Sequence, residues 1–221
     1  MNIFGENQVE SFRDIPSLVQ ANALQTDIIR WGVNYALNFC YIGMNSAISK
    51  NLKDIKPSLN KINFLLISKL SSFFNYILST FDKSIARRDY KIFIDDQDYS
   101  GQYSLIHIAN SPYFAGKKTG AIATAVPNDG LFDIALIKSS NPLRTLFSTK
   151  KYLRGKRPSN GIYIQAKNIS VQSKSQMWIQ LDNEYFQDTN IKLSLVNHAL
   201  QFVAVNNLSY PETSVGSLRK A

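Results

Sequence analysis

This chain of 221 residues holds one cysteine and two histidines. The lone thiol, Cys40 in the apolar run YALNFCYIG, excludes a disulfide framework and any cysteine-based zinc site. It reads as a small buried hydrophobe. His107 and His198 both stand in apolar, strand-like runs and outside any recognised metal spacing. A core or strand role is therefore preferred for them over ligation or catalysis. Acidic residues are few as well, 16 against 25 Lys and Arg, for a net charge of +9. Such a balance suits an anionic partner (nucleic acid, a membrane surface or a phosphorylated ligand), or else a basic surface that is merely solvated. The opening MNIFGENQVESFRDIP lacks the basic-then-apolar layout of a signal peptide. The most apolar long stretch, INFLLISKLSSFFNYILSTF (62–81), carries Lys69, Asn63, Asn75 and several serines, too much polarity for a membrane-spanning helix. Internal repeats, heptads and low-complexity blocks are missing. So are a stacking-aromatic ribonucleoprotein motif, a KH loop and a zinc finger, so nucleic acid is not an expected partner. The expected location is the cytosol, with peripheral membrane association open.

What remains is globular, with 44% hydrophobic residues, enough for a sizeable core. Residues 1–22 read as a connecting segment and a short helix, with Asp14 as N-cap, Ile15-Pro16 opening the first turn and Leu18-Val19 buried. LQTDIIRWG (24–32) and VNYALNFCYIG (33–43) read as strands meeting at Gly32-Val33-Asn34. Residues 44–58 form a helix or loop. Over 60–83, Ile62, Leu65, Leu66, Leu70, Phe73, Phe74, Ile77, Leu78 and Phe81 recur at three- and four-residue steps, which predicts a long helix. It either packs on a sheet or faces lipid, and the first is the commoner use of such a stripe.

From residue 90 onward the pattern is β. Strands are predicted at 90–96, 103–110, 120–126, 131–137, 161–173, 176–182, 184–187, 191–196 and 199–205, with turn signals between them. A second, shorter helix is predicted at 142–155, with Gly155 at its C-terminal end. The fold class is thus α+β, mainly β: an antiparallel β-sandwich domain over residues 23–206, followed by a polar tail at 207–221.

Three stretches could carry chemistry. In NSPYFAGKKTGAIATAVPNDGLFD (110–133), a glycine-bearing loop with Lys117 and Lys118 leads to an Asn-Asp-Gly turn. Backbone amides and lysines there could hold phosphate, although Gly-Lys loops between strands are also ordinary. In WIQLDNEYF (178–186), Asp182-Asn183 has the length of a two-residue hairpin loop, which places Glu184 first on the returning strand. A carboxylate at a hairpin tip is a general base if another domain closes over it, and otherwise a solvated turn acid. In KKYLRGKRPS (150–159), Lys150, Lys151, Arg154, Lys156 and Arg157 gather at a helix end. Cations suit the helix dipole there, or they meet an anionic lipid surface.

Taken in order, these stretches resemble the bacterial diacylglycerol kinase and sphingosine kinase-like lipid kinases. YALNFCYIGMNSAI is similar to the family's strand in which an Asn precedes Ile-Gly. ATAVPNDGLFDIALI is similar to its Ala-x-Pro-x-Asp-Gly-Leu-hydrophobic-Asp stretch. RGKR stands where the family has a Gly-Lys-His-like turn, and LDNEYF where it has Asp-Gly-Glu, with Asn183 in place of Gly. LSLVNHALQFVAV resembles its closing strands, and the likeness runs over about residues 14–206.

The resemblance implies a two-domain enzyme. An α/β domain binds ATP through a Gly-Gly-Asp-Gly-Thr loop, and a β-sandwich domain closes over the acceptor. This sequence contains no Gly-Gly-Asp-Gly-Thr, so the expectation is the acceptor-side domain, inactive alone. The implied roles are Glu184 as the base that deprotonates a lipid hydroxyl and main-chain oxygens of Val126, Asp129 and Leu131 around Mg²⁺; Lys117 and Lys118, read from their loop, are the expected contacts to the phosphates of ATP. The implied partners are ATP and a lipid alcohol such as diacylglycerol. Two further readings stay open: a non-catalytic module binding lipid or an anionic membrane, and a relative of the NAD kinases. A β domain shaped to close on a partner also exposes an apolar patch that could pair two copies of the chain.

Overall fold

The computed structural model describes residues 15–43, 87–114 and 124–204, together with Arg13, Ser46, Lys117, Lys118 and Ile122. The expected helix over 60–83, the cap Asp14, the 44–58 segment apart from Ser46 and the tail 207–221 lie outside the described residues. Two helices are described, α1 (Ile15–Val19) and α2 (Pro142–Leu153). The strands are β1 (Asn22–Trp31), β2 (Asn34–Ala36), β3 (Phe39–Gly43), β4 (Arg88–Ile94), β5 (Gln97–Asp98) and β6 (Gly101–Ala109). They continue as β7 (Tyr113–Phe114), β8 (Lys117–Lys118), β9 (Phe132–Lys138), β10 (Gly161–Ala166), β11 (Asn168–Leu181) and β12 (Glu184–Ala204). Among the described residues, no helix is long and apolar enough to cross a membrane.

Among the described residues, ten strands form one antiparallel sheet in the order β10-β9-β6-β3-β11-β12-β1-β2, with β4 pairing both β11 and β6 and β5 pairing β4. Because β6 and β11 are also joined through β3, the sheet closes on itself around β3, β6, β4 and β11. Closure gives β3 and β4 partners on both sides, and β10 and β2 remain the open ends of the path. The mainly β, antiparallel class read from the sequence is what the chain adopts.

The central strands β3, β6 and β9 are covered on both faces, which is why they read as continuous apolar runs rather than alternating ones. Alternate residues divide between two cores. Cys40, Ile42, Ile106, Ile108, Ile134 and Leu136 join the interior of the closed sheet. Phe39, Tyr41, Leu105, Ala135 and Ile137 point the other way and pack with Tyr152 of α2. Cys40 is fully buried and burial pushes its thiol far above the ordinary range, so it is an inert core group.

Several boundaries differ from those expected. Residues 33–43 are not one strand; the chain bends at Leu37-Asn38 between β2 and β3. The strand expected at 120–126 is not formed at the positions described there. Ala125 N instead donates to Ile122 O at 3.1 Å in a turn, and Ala125 and Val126 are buried without a ladder partner. Residues 161–173 split at Lys167, whose amide is drawn to the carboxylate of Asp95 at 3.1 Å. Leu18-Val19 do not make a buried face: Val19 is 81% exposed and none of the five helical residues is buried, because so short a helix presents no full apolar stripe.

Helix α2 has the expected extent and ends. Asn141 caps it by accepting from Arg144 N at 2.9 Å, and Pro142 opens its first turn. Gly155, at a φ of 77°, closes it as Gly155 N donates to Tyr152 O and Lys156 N to Lys151 O.

Under α2, His107 sits on β6 in the apolar layer. Its Nδ1 meets the Tyr152 hydroxyl at 2.6 Å, its ring stacks on Tyr41 at 4.0 Å, and its Nε2 is buried without a partner. The core role read for this histidine holds. Burial lowers its pKa from 6.5 to about 3, so it is neutral in the fold. A folded pKa below the unfolded one contributes stability above about pH 6.5 that is lost as pH falls toward 3. Urea unfolding is expected to show His107 costing about 3 kcal/mol between about pH 7.5 and about pH 4.5, a cost absent from His107→Gln. The same pH slope in both proteins would mean the ring accepts its proton without penalty.

Candidate functional site

The Pro127–Gly130 turn and the Asp182-Asn183 hairpin are far apart in sequence. The fold ties both to one network of buried polar groups. Its centre is Asp27 on β1, fully buried in the run LQTDIIRW. Around it Thr26 pairs with Leu200 and Ile28 with Val196, so a single residue of β1 faces residues 197–199 of β12, a β-bulge. The Asp27 carboxylate fills that irregularity. Oδ1 accepts from His198 N at 2.7 Å and Oδ2 from Gly130 N at 2.8 Å. Asp27 N also donates to Pro127 O at 2.7 Å. The turn is therefore gripped at both ends by one residue. Gly130 takes a φ of 75°, left-handed geometry that favours glycine, and Leu131 N donates to Asp129 Oδ1 at 3.0 Å to finish the turn.

Asn110, at the end of β6, carries the network onward. Its Nδ2 donates to Asp27 O at 2.7 Å and to Leu37 O at 2.9 Å, and its backbone N to Asn38 O at 2.7 Å. Leu37, Asn38 and Phe39 in turn point their amides at Asp182. Leu37 N reaches Oδ2 at 2.6 Å, while Asn38 N and Phe39 N reach Oδ1 at 3.0 and 3.1 Å. Desolvation raises the Asp182 carboxyl above the ordinary range, and the three amides oppose that shift without cancelling it. The chain bends at 37–38 because these successive amides wrap a carboxylate instead of continuing the ladder. Asp182 itself takes a φ of 47°, so left-handed geometry falls on the first hairpin residue.

The expected site residues are placed as follows. Glu184 is the first residue of β12 and pairs with Leu181, as the two-residue loop requires, and its side chain is exposed. Val126 O accepts from Asp129 N only at 3.5 Å, leaving that carbonyl weakly engaged. Asp129 is half-buried and its carboxyl is raised to about 6, first by desolvation and further by the negative charges of Asp133 and Asp27. Leu131 follows directly on the turn. Lys117 and Lys118 form β8, paired with Tyr113 and Phe114; their side chains lie outside the described residues. His198 is exposed at the bulge, and its contribution is its backbone amide.

Asp182 is expected only as a hairpin-loop residue and Asn38 only as part of a strand motif, while Asp27 and Asn110 carry no expected role. A sequence signal exists for Asp27, a carboxylate inside an apolar strand, since a buried charge must be paired or hydrogen-bonded. For Asn110 and Asn38 the signal is only structural: the Oδ1 of each is buried without a partner. Among the described residues, no group of three or more His, Cys, Asp or Glu could hold a metal by side chains alone. Any cation at the turn would therefore depend on main-chain oxygens and water.

Comparison with known proteins agrees with the motif resemblance. No family model matches the sequence. Over 196 residues the chain is 27% identical to a candidate lipid kinase of Staphylococcus aureus strain bovine RF122 / ET3-1. It is 26% identical to another from S. aureus strain MSSA476. Each match takes in 86% of this chain and 60% of the relative, so the chain spans about 60% of the length of these curated relatives. Its fold is similar to that of two solved structures from Bacillus anthracis str. Sterne, both at a TM-score of 0.61. One is a candidate diacylglycerol kinase (19% identity, 86% of this chain and 60% of that one). The other is a diacylglycerol kinase (16% identity, 93% and 64%).

Proposed function

We propose that this chain is the acceptor-side domain of an ATP-dependent lipid kinase, with Glu184 as the base that takes the proton from a lipid hydroxyl, of diacylglycerol or a related lipid alcohol, as that oxygen attacks the γ-phosphorus and the bond to the β,γ-bridging oxygen breaks to release ADP. The observation that carries the reading is the anchoring of the Asp182–Glu184 hairpin. Asp182 is held by three backbone amides and Gln180 Nε2 donates to Asp182 O at 2.8 Å, so the exposed Glu184 carboxylate stands on a rigid support. A base that must meet a substrate delivered from outside the domain needs that combination: a fixed backbone and a free, solvent-facing head. In the same reading the closed sheet and its α2-covered face make up the β-sandwich. Lys117 and Lys118 lie beside phosphates held by a nucleotide-binding half.

The turn fits Mg²⁺ in its donor chemistry. The main-chain carbonyls of Val126, Asp129 and Leu131 are hard ligands, and the charges of Asp27 and Asp133 already crowd the Asp129 carboxylate. When bound, the ion would offset phosphate charge at this edge of the cleft. Without a cation, a carboxyl raised to about 6 favours folding below its unfolded value of 3.8 and loses that contribution as pH climbs through 6. Asp129→Asn keeps the oxygen that accepts from Leu131 N. It is expected to raise the unfolding free energy at about pH 8, by on the order of 1 kcal/mol or less after solvent screening, and to have little effect near pH 4. Millimolar MgCl₂ should stabilise the parent chain in a thermal melt and Asp129→Asn less, since the variant keeps the main-chain oxygens but loses the carboxylate charge beside them. Equal shifts in the two proteins would remove the turn as a cation site.

The phosphotransfer reading is tested by joining the chain to a nucleotide-binding domain of the related kinases and supplying diacylglycerol micelles with radiolabelled ATP. Label in the lipid product supports it. A folded, ATP-binding fusion that labels no lipid alcohol would sink it.

A further inference from the structure

Helix α2 is amphipathic the wrong way round for a helix that only covers a sheet. Its buried positions are Thr145, Ser148, Thr149 and Tyr152. Its large apolar side chains face out instead, with Leu143 62% exposed and Phe147 66% exposed. In an ordinary surface helix the apolar stripe faces the core and the polar stripe faces water. Here polar side chains are accommodated beneath: Thr149 Oγ1 lies 3.4 Å from Ser104 Oγ, and Tyr152 meets His107.

The outer face has a definite composition. Leu143, Phe147, Lys150 and Arg154 follow each other at steps of four, three and four residues, so they lie along one line of the helix. Arg144 and Lys151 flank that line and are exposed. Between Ser139 and Gly161 the sequence has six cations and no acidic residue. The helix dipole accounts for cations in the last turn, but not for Arg144 in the first, where a positive charge is unfavourable. A groove of about 510 Å³ runs beside Leu143, Arg144, Phe147 and Lys151.

We propose that the outer face of α2 docks on an anionic lipid bilayer, with Leu143 and Phe147 entering the headgroup–acyl boundary while Arg144, Lys150, Lys151 and Arg154 contact lipid phosphates. Two apolar anchors at the centre of a cationic, acid-free face match the interfacial helix: shallow apolar burial plus attraction to anionic headgroups. A helix of 12 residues is about 18 Å long, too short to span and long enough to lie in the interface. A second copy of the same face is a poor occupant, since it would bring like charges together. The docking goes beyond the kinase reading and does not depend on it, because binding is measured without ATP.

The test uses the full chain in vesicle flotation, with phosphatidylcholine alone and with about a third phosphatidylglycerol. The parent chain is expected to float with the anionic vesicles, less so as salt rises, and to stay behind with the neutral ones. Leu143→Ser with Phe147→Ser should lower partitioning about tenfold. Lys150→Ala, Lys151→Ala and Arg154→Ala together should lower it about a hundredfold and flatten the salt dependence. All these side chains are exposed, so thermal melts should match the parent and separate lost docking from lost folding. Docking is overturned if both variant sets bind like the parent. It is equally overturned if neutral and anionic vesicles bind alike. The third contrary result is no vesicle binding together with dimerisation, or duplex-DNA binding, that the same substitutions abolish.

Discussion

Glu184→Gln, in a protein joining this domain to a nucleotide-binding half, is expected to cut lipid phosphorylation by about 10²–10⁴-fold, the usual range for removing a general base. Folding should be unaffected, because the Glu184 side chain is exposed at the start of β12. The change is nearly isosteric and removes only the ability to accept a proton, so KM for ATP should stay close to the parent value while kcat falls. Asp182→Asn serves as the contrast. Its carboxylate accepts from three amides, and the neutral amide cannot accept at both ends, so stability should drop along with any change in rate. Unaltered turnover in a well-folded Glu184→Gln protein would leave Glu184 as a solvated hairpin acid and move the base elsewhere.

Asp27→Ala is expected to have the largest effect on stability. The substitution removes two charge-assisted hydrogen bonds, from Gly130 N and His198 N, and leaves those amides without an acceptor. Bonds of that kind contribute roughly 1.5–3 kcal/mol each, so a loss of about 3–5 kcal/mol in urea unfolding is expected. Asp27→Asn keeps one acceptor and turns the other position into a donor facing an N–H group, so it should fall between the parent and the alanine variant. The position of the Pro127–Gly130 turn depends on the same bonds. Any stabilisation by MgCl₂ should therefore disappear in Asp27→Ala even when the protein is held folded at low temperature. A loss below about 1 kcal/mol would mean that water replaces the carboxylate and that the turn is held by its own geometry.

The local elements of the site are legible where chemistry acts at short range. Asp182-Asn183 between two apolar runs has the length of a two-residue loop, and Glu184 stands where that loop places it. Helix α2 follows from the apolar spacing between Pro142 and Gly155. The strands β4, β6 and β9 follow from their apolar runs. Errors arise where a tertiary partner competes with the local pattern. Ile122, Ala125 and Val126 have strand-like residues, yet two hydrogen bonds to Asp27 hold the neighbouring turn and no ladder partner is in reach. Residues 33–43 look like one strand until the Asp182 carboxylate draws three amides out of the ladder at 37–39.

The class, mainly β and antiparallel, is written in local pattern, because alternation, turn residues and helix caps act within a few positions of one another; so are the order of motifs that resembles the lipid kinases and the hairpin that presents Glu184. Which charges are buried and which apolar groups are left outside is set by contacts distant in the chain. Asp27 and Asp182 each satisfy amides more than a hundred residues away, for Asp27 at His198 and for Asp182 at Leu37. Leu143 and Phe147 match a core pattern in sequence, and face solvent because Thr145, Ser148, Thr149 and Tyr152 occupy the sheet side of α2. Periodicity fixes which residues share a face of a helix. Which face turns inward depends on the surface it meets, and here that surface holds the hydroxyl of Ser104 and the ring of His107.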